Sequence, residues 1–191
     1  MTRRVLVIVG HSYPNSFGTA LAEAYSNGVK QAGGEVQELH LSKLNFDPIL
    51  RSPSQELESD LQMAQDSILW AEHLVFVYPN WWGTMPALLK GFFDRVLLSG
   101  FAFRYRKDNP LWDKLLTGRT SHLLVTMDTP SWFYRWVFRQ PGHNQMKHTI
   151  LGFCGIKVTR IKEFAVVRKS TALQRNQWLQ QAELMGKQCV R

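Results

Sequence analysis

Tyr78-Pro79-Asn80-Trp81-Trp82-Gly83-Thr84-Met85-Pro86-Ala87-Leu88-Leu89-Lys90-Gly91-Phe92-Phe93-Asp94-Arg95-Val96 joins a strand to a helix through a loop rich in aromatic side chains. Just upstream, Leu74-Val75-Phe76-Val77-Tyr78 is an unbroken apolar run, the pattern of a strand buried on both faces. Downstream, Pro86 opens a helix over residues 86–98, where its missing N–H costs nothing in the first turn. Leu88, Leu89, Phe92, Phe93, Val96 and Leu97 recur there at helical spacing, so one face of that helix belongs to a core. Two adjacent tryptophans therefore sit at the carboxyl end of a buried strand, which is where open α/β sheets bind ligands.

Outward from this segment, strand and helix alternate. Strands are expected at residues 4–9, 35–41, 74–78, 121–127 and 157–164, and helices at 16–32, 54–70, 86–98, 144–153 and 171–187. Gly33-Gly34 closes the first helix, and Ser54 with Glu56 and Glu58 gives the second a capped, acidic start. Residues 108–118 form a polar excursion with a short helix around 112–116, and residues 130–142 an aromatic connection of no clear period. Five apolar strands separated by helices imply a doubly wound parallel sheet with helices on both faces, and this length suits the five-stranded order 2-1-3-4-5.

At 191 residues the chain is expected to form a single domain. It has no apolar run of 18 residues, and the apolar part of its N-terminus is too short for a signal peptide, so a cytoplasmic protein is expected. Cys154 and Cys189 make no disulfide framework, and no metal-ligand spacing accompanies them. The net charge of +8 admits a nucleic-acid surface, attraction to an anionic membrane, or a field that draws in anionic cofactors. The basic residues are spread along the chain without a dense cluster or a nucleic-acid motif, so a solvated basic surface is the plainer reading and no nucleic-acid partner is expected. A dinucleotide glycine fingerprint and a P-loop lysine pattern are both missing.

In the 2-1-3-4-5 order, the loops after strands one, three and four open at one edge. The first, Gly10-His11-Ser12-Tyr13-Pro14-Asn15-Ser16-Phe17-Gly18-Thr19, feeds a helix N-terminus whose free N–H groups suit a phosphate. Ser16 is equally a plain N-cap there, and His11 either a phosphate donor or a satisfied loop histidine. The second, residues 79–84, offers an aromatic wall from Trp81 and Trp82, unless these plug a core or a subunit interface. The third, Thr126-Met127-Asp128-Thr129-Pro130, brings small polar groups that serve a ring's heteroatoms or merely form a turn. Phosphate cradle, ring wall and polar edge in one crevice match a flavin.

The same residues carry a resemblance. His11-Ser12 with Ser16-Phe17, Asn45-Phe46-Asp47-Pro48, the spacing of Pro79, Trp82, Pro86, Leu89-Lys90-Gly91 and Arg95-Val96, Gly100-Phe101-Ala102-Phe103, and Phe153-Cys154-Gly155 resemble the flavodoxin-like NAD(P)H:quinone oxidoreductases. That family includes mammalian quinone reductase and ancillary subunits of bacterial glutathione-gated potassium efflux systems. The resemblance implies noncovalent FMN or FAD, NAD(P)H as co-substrate, ping-pong two-electron reduction of quinone-like acceptors, and a homodimer with the site at the subunit interface. It places His11, Ser16, Phe17 and Gly18 at the phosphate end, Pro79, Asn80, Trp81, Trp82 and Gly83 against the ring, and Phe103 and Tyr105 over the substrate. Where the family has Thr-Thr-Gly-Gly, this chain has Thr126-Met127-Asp128-Thr129. The segment holding the family's assisting tyrosine and histidine also differs, leaving Tyr134 and His143 as the nearest catalytic candidates. Tyr134 can instead pack among Trp132, Phe133, Trp136 and Phe138, and His143 simply stand near a helix start. The aromatic excess of residues 101–105 and 131–138 offers surfaces for a dimer. A flavodoxin-type electron carrier, an azo- or nitro-reductase, and a regulatory subunit meeting a membrane protein are the rival expectations.

Overall fold

Five parallel strands are ordered β2-β1-β3-β6-β7 in the computed structural model, which describes residues 2–52, 54–107 and 109–190. They are β1 (Arg4–Val9), β2 (Glu35–His40), β3 (His73–Pro79), β6 (Thr120–Met127) and β7 (Lys157–Ala165), and their order is the expected 2-1-3-4-5 topology. The numbers differ because β4 (Phe103–Tyr105) and β5 (Trp112–Lys114) form a separate antiparallel ribbon. The helices α1 (Phe17–Gln31) and α7 (Ala172–Val190) cover one face of the sheet. On the other lie α2 (Ser59–Trp70), α3 (Ala87–Val96) and a helical run made of α5 (Pro141–Asn144), a π-helical stretch (Gln145–Leu151) and α6 (Gly152–Cys154). A short helix, α4 (Ser131–Trp136), precedes that run. Among the described residues no helix is long and apolar enough to cross a membrane.

Strand alternation sorts side chains between the layers. Val5, Val7, Val9, Val75 and Val77 pack under Leu21, Tyr25 and Val29 of α1 and Ala182 and Met185 of α7. Leu6, Ile8, Leu74, Phe76, Leu123 and Val125 face Leu61 and Ile68 of α2, Leu89, Phe92 and Val96 of α3, and Met146 and Leu151. The helices α1 and α7 touch backbone to backbone. A Cβ on Gly28 would lie 2.0 Å from the Glu183 carbonyl oxygen, and one on Gly186 would lie 2.1 Å from that of Tyr25, so both positions require glycine.

Three expectations are corrected. Residues 112–114 are a strand rather than a helix, because Trp112 stacks on Phe153 (4.3 Å between rings) and its Nε1–H donates to the Phe153 carbonyl (2.8 Å) while its backbone pairs with β4. Asp108, the first residue of that excursion, lies outside the described residues. The second helix starts at Ser59, not Ser54, because Arg95 holds the preceding segment extended. Its guanidinium, fully buried, donates to the carbonyls of Asp47 (2.6 Å) and Glu56 (2.8 Å) and to both carboxylate oxygens of Glu58 (3.0 and 2.7 Å). These hydrogen bonds keep the Glu58 carboxyl below its ordinary value despite the opposing effect of burial. Finally, residues 131–136 are helical, and the next helix starts at Pro141 rather than residue 144.

Beneath α1 and α7, at the amino ends of β3 and β6, two buried histidines share one tyrosine. The Tyr25 hydroxyl lies 2.8 Å from His122 Nδ1 and 3.3 Å from His73 Nε2, and His73 Nδ1 lies 2.7 Å from the Thr120 hydroxyl. Arg3 donates to Thr120 Oγ1 and to the Cys189 carbonyl. Burial first, then the neighbouring His122 and Arg3, pushes His73 down to about 2. Burial, then Arg160 and Arg3, pushes His122 down to about 4. Both are neutral in the fold and protonate more readily when unfolded. Stability is therefore full above about pH 6.5 and falls as pH drops through about 4. Thermal melting from roughly pH 7.5 to pH 4.5 should show that fall, and His122→Gln should make it shallower. An unchanged slope in the variant would remove His122 from the effect.

Candidate functional site

The carboxyl ends of β1, β3 and β6 open into a crevice of about 310 Å³. It is lined by His11, Ser16, Phe17 and Gly18 from the first loop, Pro79, Asn80 and Trp81 from the second, and Thr126, Met127, Asp128 and Thr129 from the third. The three loops read from the sequence thus meet in one place. Val167 also lines the crevice and has no signal in the sequence. It is brought there by a single helical turn after β7 (Val167–Lys169), anchored where the Arg168 N–H donates to the Asp128 carboxylate (2.7 Å).

At the first loop, the Ser16 hydroxyl caps α1 by accepting from the Thr19 N–H (3.1 Å), and Thr19 donates onward to the Pro14 carbonyl (2.8 Å). Both hydroxyls are therefore engaged within the loop. The N–H groups of Phe17 and Gly18, at the first turn of α1, have no intrahelical partner and border the crevice. His11 Nδ1 accepts from the Tyr13 N–H (2.9 Å), and burial holds its pKa below the usual value. The ring is consequently neutral with its proton on Nε2, a donor beside the helix end. Its edge meets Trp81 at 5.4 Å.

The second loop is a tight turn in which Trp81 and Thr84 exchange backbone hydrogen bonds (2.8 and 3.0 Å). Its two central residues, Trp82 and Gly83, are both at positive φ (53° and 82°), as in a type I′ turn. Glycine takes that conformation freely, whereas tryptophan is strained in it. The Trp82 indole stands fully in solvent, at 103 % relative exposure. Trp82 is therefore not a core plug, and neither it nor Gly83 lines the crevice. Asn80 continues the β3–β6 ladder by donating its N–H to the Thr126 carbonyl (2.7 Å), while its side-chain Oδ1 is buried without a partner. In the third loop, Thr126 and Met127 are themselves buried, so the Met127 side chain belongs to the core and only its edge borders the crevice.

Tyr134 and His143 are brought together, 5.1 Å between rings, but behind the second loop rather than in the crevice. The buried Tyr134 hydroxyl donates to the Gly83 carbonyl (2.9 Å) and accepts from the Gly142 N–H (3.0 Å). Burial raises its pKa. His143 Nε2 lies 2.8 Å from Glu163 Oε1. Burial would raise the Glu163 carboxyl, but hydrogen bonds from His143, Ser131 and Gln140 outweigh it and hold it low. Phe103 and Tyr105 stand elsewhere within the chain: Phe103 meets Phe153 (5.0 Å) in a depression shared with Lys90 and Phe93, and Tyr105 is exposed.

Residues 3–184 match the family described as having a flavodoxin-like fold. An uncharacterized NAD(P)H oxidoreductase of Haemophilus influenzae is 31% identical over 169 residues, covering 83% of this chain and 82% of that protein. Rat NAD(P)H dehydrogenase (quinone) 1 is 31% identical over 126 residues, covering 54% of this chain but 46% of the rat protein. This chain therefore matches only about half the length of that relative. The crystal structure of Smu.1420 from Streptococcus mutans superposes with a TM-score of 0.84 at 28% identity, covering 97% of this chain and 99% of that one.

Proposed function

Because the chain belongs to the flavodoxin-like fold family, we propose that it is a cytoplasmic, flavin-dependent NAD(P)H oxidoreductase reducing quinones or related azo or nitro acceptors. The observation that carries this reading is the crevice itself, where three loops gather around a buried, unpartnered acceptor, Asn80 Oδ1. An orphaned buried acceptor calls for a donor from a ligand, and a ring N–H of FMN or FAD supplies one. A flavin held there would supply the hydride-accepting and two-electron-donating chemistry that such a reaction needs.

The chain's own part is to bind and orient. The Phe17 and Gly18 N–H groups, the positive end of α1 and the His11 Nε2–H would hold the phosphate end. Asn80 and Trp81 would hold the ring, with Thr126, Asp128 and Thr129 at its polar edge; Trp82 and the Gly83 backbone, outside the crevice in the free chain, would pack on the ring's exposed side. Tyr134 acts as a positioning residue, fixing the Gly83 carbonyl from behind, and His143 with Glu163 supports it. We further infer a homodimer in which Phe103 and Tyr105 of one subunit face the exposed Trp82 of the other.

Titration with FMN and with FAD should quench the flavin fluorescence, and anaerobic NAD(P)H should then bleach the bound flavin until a quinone restores its colour. Absence of quenching with both flavins overturns the reading. Tyr134→Phe should lower stability by about 1 kcal/mol and weaken flavin binding, while single-turnover flavin reduction stays within about threefold of the parent. A drop of about 10²-fold or more would instead put its hydroxyl in proton transfer.

A further inference from the structure

The net charge of +8 is not evenly distributed. Residues 129–182 hold nine Lys or Arg and one acidic residue, Glu163, while the rest of the chain balances at fourteen of each sign. Glu163 is turned inward onto His143. The fold gathers this stretch along one edge of the sheet: α4, the helical run after it, the edge strand β7 and the turn that follows. Arg135 of α4 and Lys162 of β7 line a single open depression of about 670 Å³ with Trp132 and Trp136.

Beside these charges stands an uncovered aromatic ridge. Trp132 and Trp136, four residues apart on α4, are 63 % and 72 % exposed, and Val137 and Phe138 continue the ridge at about half exposure. The Arg135 guanidinium lies 5.2 Å from the centre of the Trp136 ring. Large amphipathic rings among arginines match the level of lipid headgroups, where indoles settle and basic side chains meet phosphates. An open, shallow depression whose lining carboxylate, Glu163, is held by His143, and which is flanked by basic side chains and exposed indoles, fits an extended anionic surface better than a small ligand. We propose that the ridge formed by residues 132–138, with Arg135, Arg139 and Lys162 around it, docks this protein on an anionic membrane surface. Asp128 and Thr129 line the crevice and α4 begins at Ser131, so docking holds the mouth of the crevice close to the bilayer. An acceptor dissolved in lipid would meet the site there; that clause rests on the oxidoreductase reading, whereas the docking does not.

The test is co-sedimentation of the purified protein with phosphatidylcholine vesicles containing about one third phosphatidylglycerol, and with phosphatidylcholine vesicles alone. Binding to the anionic vesicles is expected to be at least about tenfold tighter and to be released by roughly 0.5 M salt. The double substitution Trp132→Ser with Trp136→Ser should weaken it by about tenfold or more, with melting temperature and flavin affinity retained. Arg135→Glu with Arg139→Glu should do the same through charge alone, and decides the matter if the tryptophan variant does not fold. Equal binding by parent and variants, or no binding to anionic vesicles, overturns the proposal. So does a dimeric parent that becomes monomeric on tryptophan substitution, which would make the ridge a subunit interface. Flavin titration is independent of all these readings, so its failure would leave the docking result standing.

Discussion

Trp82→Ala is expected to weaken flavin binding by about 2–4 kcal/mol, roughly a 30- to 900-fold rise in Kd, while leaving the flavin-free protein as stable as before. The two halves of that result have separate causes. An indole wholly exposed in the free chain contributes no core packing, so its removal opens no cavity. Alanine keeps the Cβ that sets the strain at φ 53°, so the backbone contribution is unchanged. The same exposure means that the ring's apolar area is available to a ligand, and stacking would remove it from water. Fluorescence titration gives the affinity, and thermal melting without flavin gives the stability. Melting lowered by several degrees with affinity intact would assign Trp82 to scaffolding and remove it from the site.

Arg95→Met is expected to act the other way round, destabilising the fold by about 3 kcal/mol, or roughly 6–12 °C in Tm, with little change in flavin affinity. The guanidinium is the largest fully buried side chain, and it satisfies two backbone carbonyls as well as the Glu58 carboxylate. Methionine fills much of the volume but leaves those acceptors without their donors. Glu58 is partly exposed, so water recovers some of its loss, and the effect falls at the lower end for a broken buried pair. Gly91 serves the same clasp, since a Cβ there would meet Pro48 at 2.5 Å. Thermal melting of Arg95→Met within about 2 °C of the parent would show that the clasp is dispensable.

That clasp also accounts for part of what the sequence conceals. Asn45-Phe46-Asp47-Pro48 and the Gly91 and Arg95 positions carry the family resemblance, and in the fold they act on each other: Phe46 meets Phe92 at 6.3 Å, and Arg95 takes the Asp47 carbonyl. Long-range contacts of this kind override local capping signals, which is why the second helix does not start at Ser54. The central strands β1, β3 and β6 were legible as short apolar runs, the mixed edge strands β2 and β7 followed from the alternation of strand and helix, and the converging loops followed from their order. The β4–β5 ribbon was not, since Trp112 owes its conformation to Phe153, some forty positions away. Nor could the Trp82 turn be read, because a pair of positive φ angles is an unexpected place for tryptophan. The sequence left Tyr134 open between a catalytic and a packing role; its placement was not legible, because it depends on Gly83 and Gly142 lying to either side of its hydroxyl.

The glycine contact between α1 and α7 has a consequence for the making of the protein. Gly28 and Gly186 stand roughly 160 positions apart, and neither helix can complete the burial of its inner side until both have been synthesised. At about 5–20 residues per second, a ribosome needs on the order of 10–30 s to deliver the second partner after the first. For that interval Leu21, Tyr25 and Val29 have only part of their final neighbours, and the nascent chain presents an apolar stripe to whatever surrounds it. An alanine at either glycine would therefore show itself first as poor yield during expression, before any defect in the finished protein could be measured.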